Sequence, residues 1–262
     1  MYEILKFKDH LHDRPKPSGI DMLCKLQHFA IVTYAIPPER FKDIIPPRFK
    51  LDTVNINGEE KALISVVPFF DMDFTSAVFP FFKFKMGQTN YRIYIIDQDT
   101  GKRAVWFLGT TLDSWIIFTP HVLWNLPLYR GSVKFDCIQD ENSGLYTQYK
   151  MTTKSKWASV DIDLYQDISH DFEFDGFPDI ETSLVYLTHL LDGFYHRRDG
   201  KLGTYNVWHK KLEVKPARLK HAKFGLLERM GLVNLSEQQN PYNALIEPIN
   251  EFTIYMPPKV IK

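Results

Sequence analysis

The chain has 262 residues, enough for one large domain, and its 32 Lys plus Arg balance 32 Asp plus Glu. Zero formal charge with no basic block excludes the electrostatic footprint of a nucleic-acid binder, and no apolar run is long enough for a membrane-spanning helix. Cys24 and Cys137 are too few for a disulfide scaffold and the first ten residues lack a signal-length apolar core, so a cytoplasmic protein with reduced thiols is expected, with neither nucleic acid nor membrane as partner.

Residues 1–25, with the breaker cluster Arg14-Pro15-Lys16-Pro17, read as a partly ordered leader, and residues 26–262 as a single domain. His28–Ile36 is an almost unbroken apolar run, the pattern of a strand covered on both faces. A short helix follows Pro37-Pro38, with Phe41, Ile44 and Ile45 on one side, and stops at Pro46-Pro47. A strand is predicted over Ala62–Phe70, and the aromatic stretch Phe79–Phe84 is expected to be a core strand. Thr89–Ile96 and Arg103–Leu112 form the clearest hairpin, around Asp97-Gln98-Asp99-Thr100-Gly101-Lys102. A helix is predicted over Ser114–Leu123, with Pro120 kinking or ending it. Strands follow over 129–138, 145–153 and 157–165, then a helix over Asp179–Leu191 that Asp179 caps. Gly193–Arg197 and Thr204–Lys210 make a second hairpin, with further strands near 211–219 and 251–256. Twenty Phe, thirteen Tyr and five Trp suit pleated, half-buried surfaces. The fold class is therefore α+β and sheet-rich: an open or half-closed antiparallel β-barrel with a few short peripheral helices.

Nucleotide-binding glycine loops, the G-x-S-x-G elbow and H-E-x-x-H are all missing. His189 and His196 have no Cys or Glu at metal-ligand spacing, so no metal is expected. The segment Gln88-Thr89-Asn90-Tyr91-Arg92-Ile93-Tyr94 does carry chemistry. With a period of two, Gln88, Asn90, Arg92 and Tyr94 share one face, and Tyr91 and Ile93 the other. This polar row either meets solvent or lines a cavity in which an Arg and two amides fix an anion. A second candidate is Trp124-Asn125-Leu126-Pro127-Leu128-Tyr129-Arg130, a turn feeding a strand that can place Tyr129 and Arg130 at a barrel mouth.

The strand at 28–36, Pro37-Pro38-Glu39-Arg40-Phe41, Gln88-x-Asn90-x-Arg92-x-Tyr94, Trp106-Phe107, Leu126-Pro127-Leu128-Tyr129 and Val207-Trp208-His209 occur in an order that resembles the YqjF-like family of the acetoacetate decarboxylase-like superfamily, over roughly residues 27–257. The resemblance implies an open barrel with a central pocket and turns the polar row inward. It also implies that the decarboxylase's Schiff-base lysine falls on Leu128, its glutamate on Gln88 and its arginine near Gln27. A leucine cannot attack a carbonyl, so acetoacetate decarboxylation by that route is not expected.

What remains is a barrel binding a small organic acid or carbonyl compound, without a cofactor. Arg92 would pair with a carboxylate, and Gln88 and Asn90 would hydrogen-bond its oxygens. Trp106 and Trp124 would form the apolar wall, and Arg130 the entrance. Tyr129 would donate a proton, with His209 as second candidate. The alternatives are a lyase using a relocated lysine, Lys134 or Lys150, and a structural protein with a filled barrel. Self-association into a homo-oligomer stays open.

Overall fold

Fifteen strands form among residues 3–115 and 118–261, the part of the chain that the computed structural model describes. They are β1 (Met22–Ile36), β2 (Phe49–Leu51), β3 (Thr53–Ile56), β4 (Glu59–Ser76), β5 (Phe84–Asp97), β6 (Arg103–Leu112), β7 (Leu128–Arg130), β8 (Ser132–Gln139), β9 (Tyr146–Lys154), β10 (Val160–Tyr165), β11 (Asp192–His196), β12 (Leu202–His209), β13 (Lys215–Pro216), β14 (Arg218–Phe224) and β15 (Asn243–Ile261). The helices are short: α1 (Phe7–His10), α2 (Phe118–Leu123), α3 (Ile180–Thr188) and α4 (Gly225–Arg229).

The expected sheet-rich barrel is what forms, and it closes. Strands β5, β4, β1, β15, β12, β11 and β6 pair in that order, and β6 returns to β5, making a seven-stranded barrel. Every seam is antiparallel except β6–β11. A second sheet, β14-β10-β9-β8, covers one outer flank. The two apolar faces of the barrel strands therefore serve two cores. Tyr91, Ile93, Ala104 and Trp106 pack outward with Tyr149, Met151 and Ile162 of the second sheet's cluster. Leu26, Phe29, Val67 and Phe69 pack inward with Val185, Tyr186 and Leu187 of α3.

Two irregularities set which side chain faces which core. His28 in β1 takes φ 53° where the pairing with β4 shifts register between Gln27–Phe70 and Val32–Val66, so the inward series runs Cys24, Leu26, then Phe29 and Ile31. Its Nδ1 meets Tyr146 Oη at 2.7 Å, and its carbonyl accepts from Tyr149 Oη at 2.8 Å, which fastens the second sheet to the barrel. In β6 the pairing passes from Phe107–Arg92 to Gly109–Tyr91. Gly109 sits at φ 156°, where an added Cβ would meet the Trp157 and Tyr129 rings.

Asp179 caps α3, its Oδ1 accepting from Thr182 N at 2.7 Å. The predicted helix after Pro38 shortens to one 3-10 turn, Pro38–Phe41, because Asp43 takes φ 62°. Of the helix predicted over 114–123, α2 is the described part, and residues 116 and 117 lie outside the described residues. The aromatic stretch 79–84 is a correction. Pro80 interrupts it, Phe79, Phe81 and Phe82 are 56%, 84% and 67% exposed at a hairpin tip, and β5 starts only at Phe84. Residues before β1 dock on α3: Leu5 N donates to Thr182 Oγ1 at 3.2 Å, and Leu5 and Phe7 are buried.

Candidate functional site

A cavity of about 430 Å³ lies inside the barrel, with the end of α3 as its floor. Gln88, Asn90 and Arg92 of the period-two row read from the sequence line it, joined by Met86 of the same strand, β5, whereas Tyr94, the fourth member of the row, does not. Val105 and Phe107 face it from β6, and Tyr205, Val207 and His209 from β12. Cys24, Leu26 and Phe29 of β1 and Phe252, Ile254 and Met256 of β15 form the apolar wall.

Arg92 is the cation of this chamber. Its Nη2 donates to Leu187 O at 2.9 Å and to Tyr94 Oη at 3.5 Å, while its buried Nε has no acceptor. Among the described residues it forms no ion pair, unlike Arg48 with Asp97 or Arg103 with Asp52. A guanidinium removed from water without a carboxylate is costly, and an anion entering the cavity would offset that cost. Asn90 Oδ1 is occupied by Thr110 Oγ1 at 2.8 Å, which leaves its amide N–H groups as the donors for a guest.

His209 and Tyr205 complete the polar cluster. The Lys210 carbonyl lies 2.6 Å from His209 Nδ1, which fixes the proton there and leaves Nε2 as acceptor. Burial, with the nearby His189 and Arg92, lowers the His209 pKa to about 3. The ring therefore stays neutral at pH 7. Burial likewise holds the Tyr205 hydroxyl protonated, despite the opposing field of Arg92, and its ring stacks on Phe107 at 5.4 Å.

The His209 environment has a measurable consequence. An unfolded histidine takes up a proton below about pH 6.5, whereas His209 in the fold does not until about pH 3, so its share of stability is lost as pH falls across that window. Asp71 acts in the opposite sense. Burial raises its pKa to about 7, so its fold gains stability as pH falls from there toward the unfolded value. Comparing wild type with His209→Gln isolates the histidine: urea denaturation should show their stability difference shifting by about 2 kcal/mol against the wild type between pH 6.5 and pH 5. An unchanged difference would show that His209 is not held neutral.

Gln88, Asn90, Arg92, Trp124 and His209 meet at the cavity, whereas Trp106, Tyr129 and Arg130 do not. Trp106 is 1% exposed and faces the outer core, against Phe49 at 5.5 Å and His196 at 4.8 Å, because Val105 and Phe107 hold the inward positions of β6. Tyr129 stacks on Trp157 at 4.0 Å between barrel and second sheet, and Arg130 points to solvent at the end of β7. Both expectations of a mouth position fail because β7 runs outside the closed ring, pairing with β6 alone. Sequence reasoning missed Tyr205, although alternation back from His209 through Val207 reaches it. It also missed the Leu187 carbonyl, which carries no side-chain signal.

Leu128, the position where the resemblance puts a lysine, lines the cavity as leucine. Among the described residues no lysine does so. Lys134 and Lys150 sit on β8 and β9 of the second sheet, both exposed. The barrel is not filled, and no group of three His, Cys, Asp or Glu among the described residues is placed to hold a metal ion. No described helix is long and apolar enough to cross a membrane.

Residues 24–248 match the family DUF2071, described as an uncharacterized conserved protein (COG2071). The chain belongs to the DUF2071 family. This is the YqjF-like group to which the sequence motifs pointed. No curated protein matches the chain. Solved structures similar to this DUF2071 protein share its fold at low identity. An acetoacetate decarboxylase-like enzyme from Sphingomonas wittichii RW1 is 10% identical with a TM-score of 0.63, covering 94% of each chain. The enduracididine biosynthesis enzyme MppR, complexed with pyruvate, is 10% identical with a TM-score of 0.58, covering 94% of this chain and 91% of its own. Acetoacetate decarboxylase from Legionella pneumophila is 12% identical with a TM-score of 0.55, covering 100% of this chain and 98% of its own.

Proposed function

We propose that this DUF2071 protein binds an organic acid bearing a carbonyl or hydroxyl oxygen inside its barrel, without a Schiff-base lysine. The observation that carries the reading is the Arg92 guanidinium, set in an apolar chamber without a carboxylate partner. The acid's carboxylate takes the free edge of that guanidinium. Tyr205 Oη and the Asn90 amide donate to the second oxygen, and His209 Nε2 accepts from it when it is a hydroxyl. With so low a pKa His209 is an acceptor, not a proton carrier at neutral pH. Trp124, Leu128 and Phe107 exclude water around this end.

The pyruvate held by MppR and the substrate named in acetoacetate decarboxylase are acids of this class, which supports the choice. The lyase alternative with a relocated lysine loses support, since Lys134 and Lys150 lie on the outer sheet. Borohydride reduction in the presence of pyruvate or acetoacetate separates the two. The expected mass spectrum shows unmodified protein, and a reduced adduct on any lysine would overturn the proposal.

A further inference from the structure

The chamber is much larger than a three- or four-carbon acid requires. A dry cavity of about 150 Å³ admits benzene, so about 430 Å³ admits roughly 15–18 non-hydrogen atoms, against about six for pyruvate. Its shape is elongated. Lining residues on β5 run from Met86 to Arg92, six positions or about 20 Å of strand. Arg92 leans toward Tyr94 and Leu187, away from Met86, so the cation stands at one extreme of that length.

The remote half is apolar. Asp71 pairs with Met86 across the sheet and Met22 with Ile254, which puts Met22, Phe74, Met86, Ile254 and Met256 beyond the polar cluster. Asp71 is the charged side chain at that level, but it is fully buried, and its Oδ1 accepts from Lys25 N and Asp73 N at the β1 and β4 irregularities. It lines the cavity without accessible surface of its own, and its Oδ2 has no hydrogen-bond partner among the described residues. Ile20, 44% exposed and also part of the lining, marks where this half approaches solvent.

We infer that the acid is an amphiphile of medium chain length, its carboxylate at Arg92 and its alkyl body along the Met22–Ile254–Met86 wall. This rests on the anion reading of Arg92 proposed above, and it adds the length and apolarity of the rest of the molecule. Burying each further methylene in such a wall strengthens binding about fourfold until the space is full.

The test is calorimetric titration of the full chain with 3-hydroxybutanoate, 3-hydroxyoctanoate, 3-hydroxydecanoate and 3-hydroxydodecanoate. Affinity is expected to climb at least a hundredfold from four carbons to twelve, since the chamber still admits 3-hydroxydodecanoate, with about fifteen non-hydrogen atoms. In Ile254→Trp, whose indole fills the remote half, decanoate-length binding should drop at least tenfold while four-carbon binding changes less than threefold. The wild-type series decides the matter even where that variant does not fold. Equal affinity at every length, with dependence on Arg92, would overturn the chain-length inference and leave the anion site standing. Rising affinity that ignores Arg92→Met would instead overturn the anion site. Binding by none of the acids would end both.

Discussion

Arg92→Met is expected to weaken binding of a carboxylate ligand by 30-fold or more, because removing one partner of a buried, hydrogen-bonded charge pair costs about 2–5 kcal/mol. Methionine keeps the apolar stem that packs in the cavity, so the loss reports on the guanidinium alone. Stability of the unliganded protein should not fall, since the wild type holds a cation without a carboxylate partner and an Nε without an acceptor. Leu187 O keeps the Tyr94 hydroxyl, at 3.2 Å, as donor. Titration calorimetry and thermal denaturation on the same samples check both halves. Binding retained within threefold, or a melting temperature lowered by several degrees, would mean that Arg92 is a structural strut.

Trp106→Ala should destabilise the protein by about 3–5 kcal/mol, the usual cost of removing a buried aromatic side chain from a packed core. The indole is 1% exposed and touches Phe49 and His196, and Phe49 in turn packs on Phe194 at 4.8 Å, so neighbours from β2 and β11 lose a shared partner. Ligand affinity of the folded fraction should change less than twofold, because the side chain lies on the outer face of the barrel wall. Urea denaturation measures the first quantity and calorimetry below the transition the second. A variant of normal stability but poor affinity would return Trp106 to the cavity wall.

The contrast between these two residues shows what the chain discloses of itself. Arg92 stands in a row of alternating polar and apolar residues, and a polar row opposite an apolar one leaves a definite face to assign. Trp106 stands in β6, apolar on both sides, so alternation names two faces without saying which is the interior. The irregularities at His28 and Gly109 reverse the alternation midway along β1 and β6, and they accompany register shifts against β4 and β5 that the residues of β1 and β6 alone do not encode. Tyr129 misled for a related reason. Its neighbour across the gap, Trp157, belongs to a sheet whose docking on the barrel depends on Tyr146, Tyr149 and the His28 kink together. The exposed Phe79, Phe81 and Phe82 read as core because aromatic density alone cannot distinguish a strand from a protruding turn. Barrel closure was not legible, since strand number does not determine whether the last edge finds the first.

The Leu187 carbonyl, shared by Arg92 and Tyr94, ties the chamber's cation to the last turn of α3. A guest that takes the free edge leaves this tie in place, so the helix end holds the guanidinium in position before any guest arrives. Little of the binding free energy then goes into aiming the cation, because the backbone has already aimed it.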